Sequence, residues 1–306
     1  PNRCRYALMC DENGFLFDDG VVVRLSEDAF LCHTTSGGSD RVHAWMEEWL
    51  QTEWFDLKVH AVNVTEQWAQ IALAGPKARA IVQSLESDID VSKDGMKFFD
   101  MAEGRLAGAP VRVYRISFSG ELTFEIATPS GYGLALWEAL MGAGARHGLQ
   151  PYGTEALHVL RAEKGFIAIG DETDGTVIPQ DLGLDWAVSK KKADFIGKRG
   201  MERSHMTRDD RKQLVGVLTE DLNLVLPDGC PAVEGLAAKP PTASLGHVTS
   251  TYWSPTLGRS IAFALVKGGR ARLGETLLFN TGGTELAKAT LVDPCFYDKE
   301  GTRQDV

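Results

Sequence analysis

The chain lacks the features that mark membrane, secreted and nucleic-acid-binding proteins. No apolar run in its 306 residues approaches the roughly 20 that span a bilayer. Its opening residues, Pro1 to Tyr6, carry no apolar core of a secretory leader, so a cytoplasmic location is expected. Cysteine is scarce: Cys4, Cys10, Cys32, Cys230 and Cys295 form an odd set with no CxxC and no Cys/His group at zinc spacing. Reduced, buried and inert thiols are the expectation, and no metal site. Positive charge is in deficit, with 32 Lys and Arg against 42 Asp and Glu and a formal charge of −10. Such a surface repels phosphate backbones, which argues against nucleic acid as a partner. HExxH, GxSxG and P-loop motifs are missing, and no GxGxxG follows a strand, so a dinucleotide fold within this chain is not expected.

What is present reads as an α+β protein of about two domains. Tyr6–Met9 and Phe15–Val23 flank Asp11-Glu-Asn-Gly14, a hairpin signal. Val42, Trp45, Met46, Trp49 and Leu50 recur at helical spacing, which predicts a helix to about Gln51, capped by Asp40, with its aromatic stripe in the core. Strands are expected near Lys58–Val64 and Trp68–Leu73, then a short helix after Gly75-Pro76 through Leu85. Val111–Ser117 and Leu122–Ala127 read as a second hairpin, followed by helices near Gly131–His147 and Thr154–Lys164. Asp171–Trp186 reads as an ordered acidic loop. Beyond residue 213 short β-like runs at Leu214–Leu218, Ile261–Val266 and Thr276–Phe279 suggest a small all-β barrel or sandwich. Between the two textures, Val188–Lys212 holds nine basic against four acidic residues. It is either a solvated linker or a landing area for an anionic tail or an acidic partner protein.

The chemistry left to consider lies in carboxylates at unusual places. Asp18 and Asp19 are adjacent within a predicted strand, so they point to opposite faces; either the strand bulges or breaks at Gly20, or one Asp enters a polar pocket. Glu121 and Glu125 share one face of their predicted strand, opposite the apolar Leu122, Phe124 and Ile126. Spacing alone makes them a solvent-facing pair. Were that face covered, a carboxylate there would need a partner rich in N–H donors, such as an aminopyrimidine ring.

Several stretches, in order over nearly the whole chain, resemble the glycine-cleavage T-protein (aminomethyltransferase) superfamily. They are Tyr6 to Asp18-Asp19, Ser119-Gly-Glu-Leu-Thr-Phe-Glu125, Leu160-Arg-Ala-Glu-Lys-Gly165, Asp194-Phe-Ile-Gly-Lys198 and Ser254-Pro-Thr-Leu-Gly-Arg-Ser-Ile-Ala262. Arg3-Cys-Arg-Tyr6, Thr34-Thr-Ser-Gly-Gly38 and Gly153–Gly165 are most similar to one branch, the C-terminal folate-binding region of the α subunit of bacterial heterotetrameric sarcosine oxidase.

The resemblance implies a cloverleaf of α+β domains, truncated at its N-terminus, with a C-terminal β-barrel. It places a folate-binding region at 1–205 and the barrel at 206–306. It implies transfer of the one-carbon unit of oxidised sarcosine to tetrahydrofolate, giving 5,10-methylenetetrahydrofolate. FAD, FMN and NAD would bind elsewhere in a complex whose other subunits include a flavin-bearing one. The superfamily's catalytic aspartate falls on Asp19 and its pterin-reading glutamate on Glu125, with Tyr6 and Trp186 lining the site. An Arg and two Tyr of the transferase branch are Leu157, Phe118 and Ile169 here. Two alternatives stay open: a free-standing aminomethyltransferase or dimethylglycine-oxidising relative, and a non-catalytic folate-binding or assembly module.

Overall fold

Asp11 opens the molecule's first turn by accepting the backbone N–H groups of Asn13 and Phe15 at 2.9 and 2.8 Å. This turn joins β1 (Cys4–Cys10) to β2 (Leu16–Arg24), and β3 (Phe30–Cys32) pairs antiparallel with β2. β2 runs unbroken through Gly20, with no strand break there. Glycine is needed at that position because a Cβ would stand 1.8 Å from the His33 carbonyl oxygen. The computed structural model describes residues 1–235, 241–283 and 286–306.

The other elements are α1 (Ser39–Thr52), β4 (Trp68–Ala74), α2 (Ala78–Gln83), β5 (Met101–Leu106), β6 (Ala109–Tyr114), β7 (Thr123–Pro129), α3 (Gly133–Gly144), α4 (Thr154–Lys164) and α5 (Lys198–Met201). They are followed by β8 (Lys212–Thr219), β9 (Pro231–Val233), β10 (Ser244–Ser254), β11 (Arg259–Lys267), β12 (Thr276–Phe279) and β13 (Ala287–Val292). The chain divides into two compact units, and neither is a continuous stretch. The first comprises Pro1–Met9, Asp18–Tyr152 and Gly301–Val306; the second comprises Cys10–Phe17 and Gly153–Glu300.

In the first unit an antiparallel sheet of order β4-β7-β6-β5 has two different faces. Strand alternation sends Phe124 and Ile126 to one side, where they meet Ile81, Val82, Leu136 and Leu140 of α2 and α3. Ala127 and Tyr114 share a second apolar cluster with Cys4 and Val23 of the N-terminal hairpin. That hairpin therefore covers the face spacing had assigned to solvent. The last residues of the chain also belong to this unit. The Leu122 N–H donates to the Arg303 carbonyl at 3.0 Å, Arg303 ion-pairs with Glu121, and the buried Arg115 donates to the Gln304 carbonyl.

In the second unit β8–β13 close into a barrel in the order β10-β11-β8-β13-β12-β9, around Val215, Val217, Ala264, Phe279 and Leu291. The loop over Asp171–Trp186 is ordered by two 3-10 turns and buries Asp181. The tip of the first hairpin packs beside α5. Gly197 is left-handed at φ +90°, and a Cβ there would meet the Asp11 carbonyl oxygen at 2.6 Å. This close approach explains the glycine of Asp194-Phe-Ile-Gly-Lys198.

Several expectations need correction. Lys58–Val64 is not a strand, because β4 is an edge whose only ladder neighbour is β7 and, among the described residues, no strand pairs with 58–64. β5 carries no two-residue alternation in the sequence because Glu103, Gly104 and Arg105 interrupt its apolar positions. Asp40 does not cap α1; Gly38 precedes that helix, and the Asp40 carboxylate instead accepts the Asn63 side-chain amide at 2.7 Å. Of the α1 stripe only Val42 is buried, while Trp45, Met46, Trp49 and Leu50 are half-buried. Cys32 is exposed, whereas Cys4 and Cys10 are buried, and burial pushes each of these two thiols up to about 12.

Candidate functional site

Asp18 and Asp19 leave β2 in opposite directions, as alternation requires. Asp18 is 1 % exposed. Its Oδ1 accepts the backbone N–H groups of Asp19 at 2.8 Å and Thr35 at 3.1 Å, and its Oδ2 accepts the Thr35 hydroxyl at 2.9 Å. Asp19 accepts the Tyr6 hydroxyl from β1. Burial, with a smaller contribution from the neighbouring charge of Asp18, pushes the Asp19 carboxyl up to about 6 against the opposing hydrogen bond from Tyr6. Burial and the Asp19 charge together hold the Tyr6 phenol well above its usual range, so it stays a hydrogen-bond donor.

Glu125 lies on β7 opposite Ala72 of β4 and Tyr114 of β6. It sits on the face that Ala127 presents to the hairpin cluster, so the expected solvent-facing pair with Glu121 does not form. Glu121 turns instead to Arg303. The Glu125 Oε2 accepts the Gln70 side-chain amide, and burial pushes the carboxyl up to about 7 despite that bond. Burial, aided by the negative charge of Glu125, holds Tyr152 above the usual phenol range. Nearby, His33 lies edge-on to Tyr114 with ring centroids 4.8 Å apart. Burial, aided by Arg112, lowers His33 to about 4, so it is neutral at physiological pH.

Tyr6, Asp19 and Glu125 thus belong to one unit, with Tyr6 and Asp19 in direct contact. Trp186 belongs to the second unit and is 67 % exposed. Leu157, Phe118 and Ile169 are all half-buried. Gln70 and Thr35 were not foreseen. Gln70 is a polar residue at the same alternating position as Ala72 on β4, a weak signal; Thr35 lies 17 residues beyond its partner and carries no local signal.

A second polar cluster lies wholly in the barrel-bearing unit. Arg161 on α4, fully buried, donates to Glu172 at 2.7 Å, Asp171 at 2.9 Å, Ser250 at 2.8 Å and Tyr252 at 3.1 Å. Glu172 also accepts Thr249 at 3.0 Å and the Ala168 N–H at 2.8 Å. Both terminal nitrogens of Arg161 and both carboxylates are hydrogen-bonded, leaving the buried Arg161 Nε without a partner among the described residues, and the cluster reads as a tie between α4 and β10. Among the described residues no group of three or more His, Cys, Asp or Glu is placed to hold a metal, and no helix is long and apolar enough to cross a membrane.

Residues 1–192 match the family described as the GCVT N-terminal domain, and residues 212–298 match the glycine cleavage T-protein C-terminal barrel domain. The chain is 49% identical over 304 residues to the sarcosine oxidase subunit alpha of Corynebacterium sp. strain U-96, covering 98% of this chain and 31% of that protein. The subunit of the same name from Rhizobium meliloti is 42% identical over 99% of this chain and 31% of its own length. The chain therefore spans about a third of these relatives. An aminomethyltransferase from Caldanaerobacter subterraneus is 32% identical over 97% of this chain and 76% of its own length. The crystal structure of the glycine cleavage system aminomethyltransferase T from Bartonella henselae superposes with a TM-score of 0.82 at 23% identity, covering 97% of this chain and 77% of that one. Two carboxylates of raised proton affinity, one under a tyrosine and one under a glutamine, thus sit in a mixed α+β unit of a chain that also closes a six-stranded barrel, and the chain belongs to the glycine-cleavage T-protein family.

Proposed function

We infer that this chain is the folate-dependent one-carbon acceptor region of a larger sarcosine-oxidising enzyme, spanning a folate-binding part (1–205) and a barrel (206–306). The observation that carries the reading is Glu125: a carboxylate turned towards the hairpin cluster, raised to about 7, with Gln70 as its only hydrogen-bond partner among the described residues. Its second oxygen keeps full acceptor capacity. A pterin ring, with adjacent N–H and NH₂ donors, fits that need in a bidentate fashion. When bound, tetrahydrofolate supplies the amine that takes up the one-carbon unit.

Asp19 is the group assigned to the proton of that amine. At about 6 it is ionised at neutral pH, yet close enough in proton affinity to accept a proton as a carbon–nitrogen bond forms. Tyr6 donates to Asp19 and so holds one of its two carboxyl oxygens. Trp186, an exposed aromatic, is assigned a lining role by its match to the family's tryptophan. FAD, FMN and NAD are assigned to the rest of the enzyme, outside this stretch. Similarity to proteins named as α subunits supports a multi-subunit assembly; a flavin-bearing partner belongs to the same proposal.

The test is Asp19→Ala in the complete enzyme. Sarcosine-driven flavin reduction should stay nearly intact, while the product shifts from methylenetetrahydrofolate to free formaldehyde. Loss of flavin reduction with an unchanged product ratio would refute the assignment.

A further inference from the structure

Asp18 is an unusual residue to bury. It is 1 % exposed, and among the described residues none of the ion pairs includes it. A buried carboxylate without a cation is costly, and an apolar residue would fill a strand position more cheaply. Its three hydrogen bonds share a purpose. One oxygen holds the N–H of Asp19 and the N–H of Thr35, and the other holds the Thr35 hydroxyl. The Thr34–Gly38 segment is thereby tied to the backbone of Asp19.

The packing tolerates no slack around this carboxylate. A Cβ on Gly38 would stand 1.9 Å from Asp18 Oδ2 and 2.5 Å from Thr35 Oγ1, so the turn closes directly over the acid. Two residues further along β2, Gly20 lets the His33 carbonyl come equally close. Two glycines and one buried acid therefore lock the 33–38 segment against the strand on either side of Asp19.

We propose that Asp18 is the positioning residue for Asp19: it clamps the Asp19 backbone and the Thr35 turn in one hydrogen-bonded ring and so sets the direction in which the Asp19 carboxyl points. The proposal builds on the reading of Asp19 as the proton acceptor. The charge of Asp18 has a second effect in the same sense, since it adds to the burial that raises Asp19 while Tyr6 opposes it.

The experiment compares Asp18→Asn, Asp18→Ala and wild type by two routes. Asparagine keeps a carbonyl oxygen for the two N–H groups, and the Thr35 hydroxyl can turn to accept from its amide. Hydrogen exchange on this chain should show the Asp19 and Thr35 amides unchanged in Asp18→Asn and faster by about tenfold in Asp18→Ala. Carboxyl NMR should show Asp19 titrating lower in Asp18→Asn than in wild type. In the complete enzyme, Asp18→Ala should lower kcat for transfer to tetrahydrofolate by roughly 10²-fold with KM unchanged, because misdirection of a reacting group costs rate and not binding. Asp18→Asn should recover most of that loss.

Equal exchange at both amides in all three proteins would overturn the clamp. Equal loss of kcat in the two variants would overturn the positioning role. If Asp18→Ala fails to fold, Thr35→Val removes one donor alone and is read by the same amides. A wild-type enzyme that transfers nothing to tetrahydrofolate, with the amides still freed in Asp18→Ala, would instead overturn the assignment of Asp19.

Discussion

Glu125→Gln isolates the energetic consequence of burying one carboxylate. The folded protein holds Glu125 at about 7 against an ordinary 4.5, with burial as the main cause. The folded state therefore binds the proton more tightly than the unfolded chain does. Below about pH 4.5 both states are protonated and the residue costs nothing. Between 4.5 and 7 the unfolded chain ionises first, and stability falls as pH rises; above 7 the penalty is constant. At 1.36 kcal/mol per unit, the shift corresponds to about 3 kcal/mol. Glutamine cannot ionise, yet its side-chain oxygen can still accept from Gln70. Urea unfolding of both proteins at pH 4.5 and pH 8 should thus show the variant gaining about 3 kcal/mol over wild type across that interval. Asp19, raised to about 6, contributes in the same direction to both proteins and cancels in the difference. A difference that is flat with pH, or that favours wild type at pH 8, would mean that Glu125 is solvated or cation-paired and would remove the basis for an N–H-rich ligand.

Two further outcomes are expected. Arg161→Met should strip Glu172 of its cation while leaving it buried, a loss of about 3–5 kcal/mol in the unfolding of the second unit. The double change Arg161→Met, Glu172→Gln should recover most of it, and equal losses in single and double variants would refute the account. Under the proposed multi-subunit reading, reversing the charges of Lys190, Lys191 and Lys192, all exposed, should weaken co-purification with other subunits; unaltered recovery would exclude the basic stretch as a docking surface.

The hairpins and the barrel were legible because turn residues and two-residue alternation are local signals. The same alternation correctly set Asp18 and Asp19 on opposite sides of β2, and Glu125 opposite Phe124 and Ile126. It could not tell what covers a face. Glu125 looked solvent-facing because the hairpin that covers it is more than 100 residues earlier in the chain. Thr35 carries no local signal and Gln70 only its alternating position on β4, because each meets its acid through chain folding. The failed strand at Lys58–Val64 and the half-buried α1 stripe show the converse. A periodic pattern states a capacity to pack, and a neighbouring element must still arrive to use it.

The two units interrupt one another along the chain, and this sets an order on biosynthesis. The turn that leads into β7 takes Arg303 and Gln304 as partners for Glu121, Leu122 and Arg115, yet those residues are translated only after the whole barrel sequence. A nascent chain that has just emitted β7 must leave the Arg115 guanidinium short of one acceptor until Gln304 emerges. By the same topology, no single cut liberates either unit whole, because residues 10–17 of the second unit lie between two segments of the first.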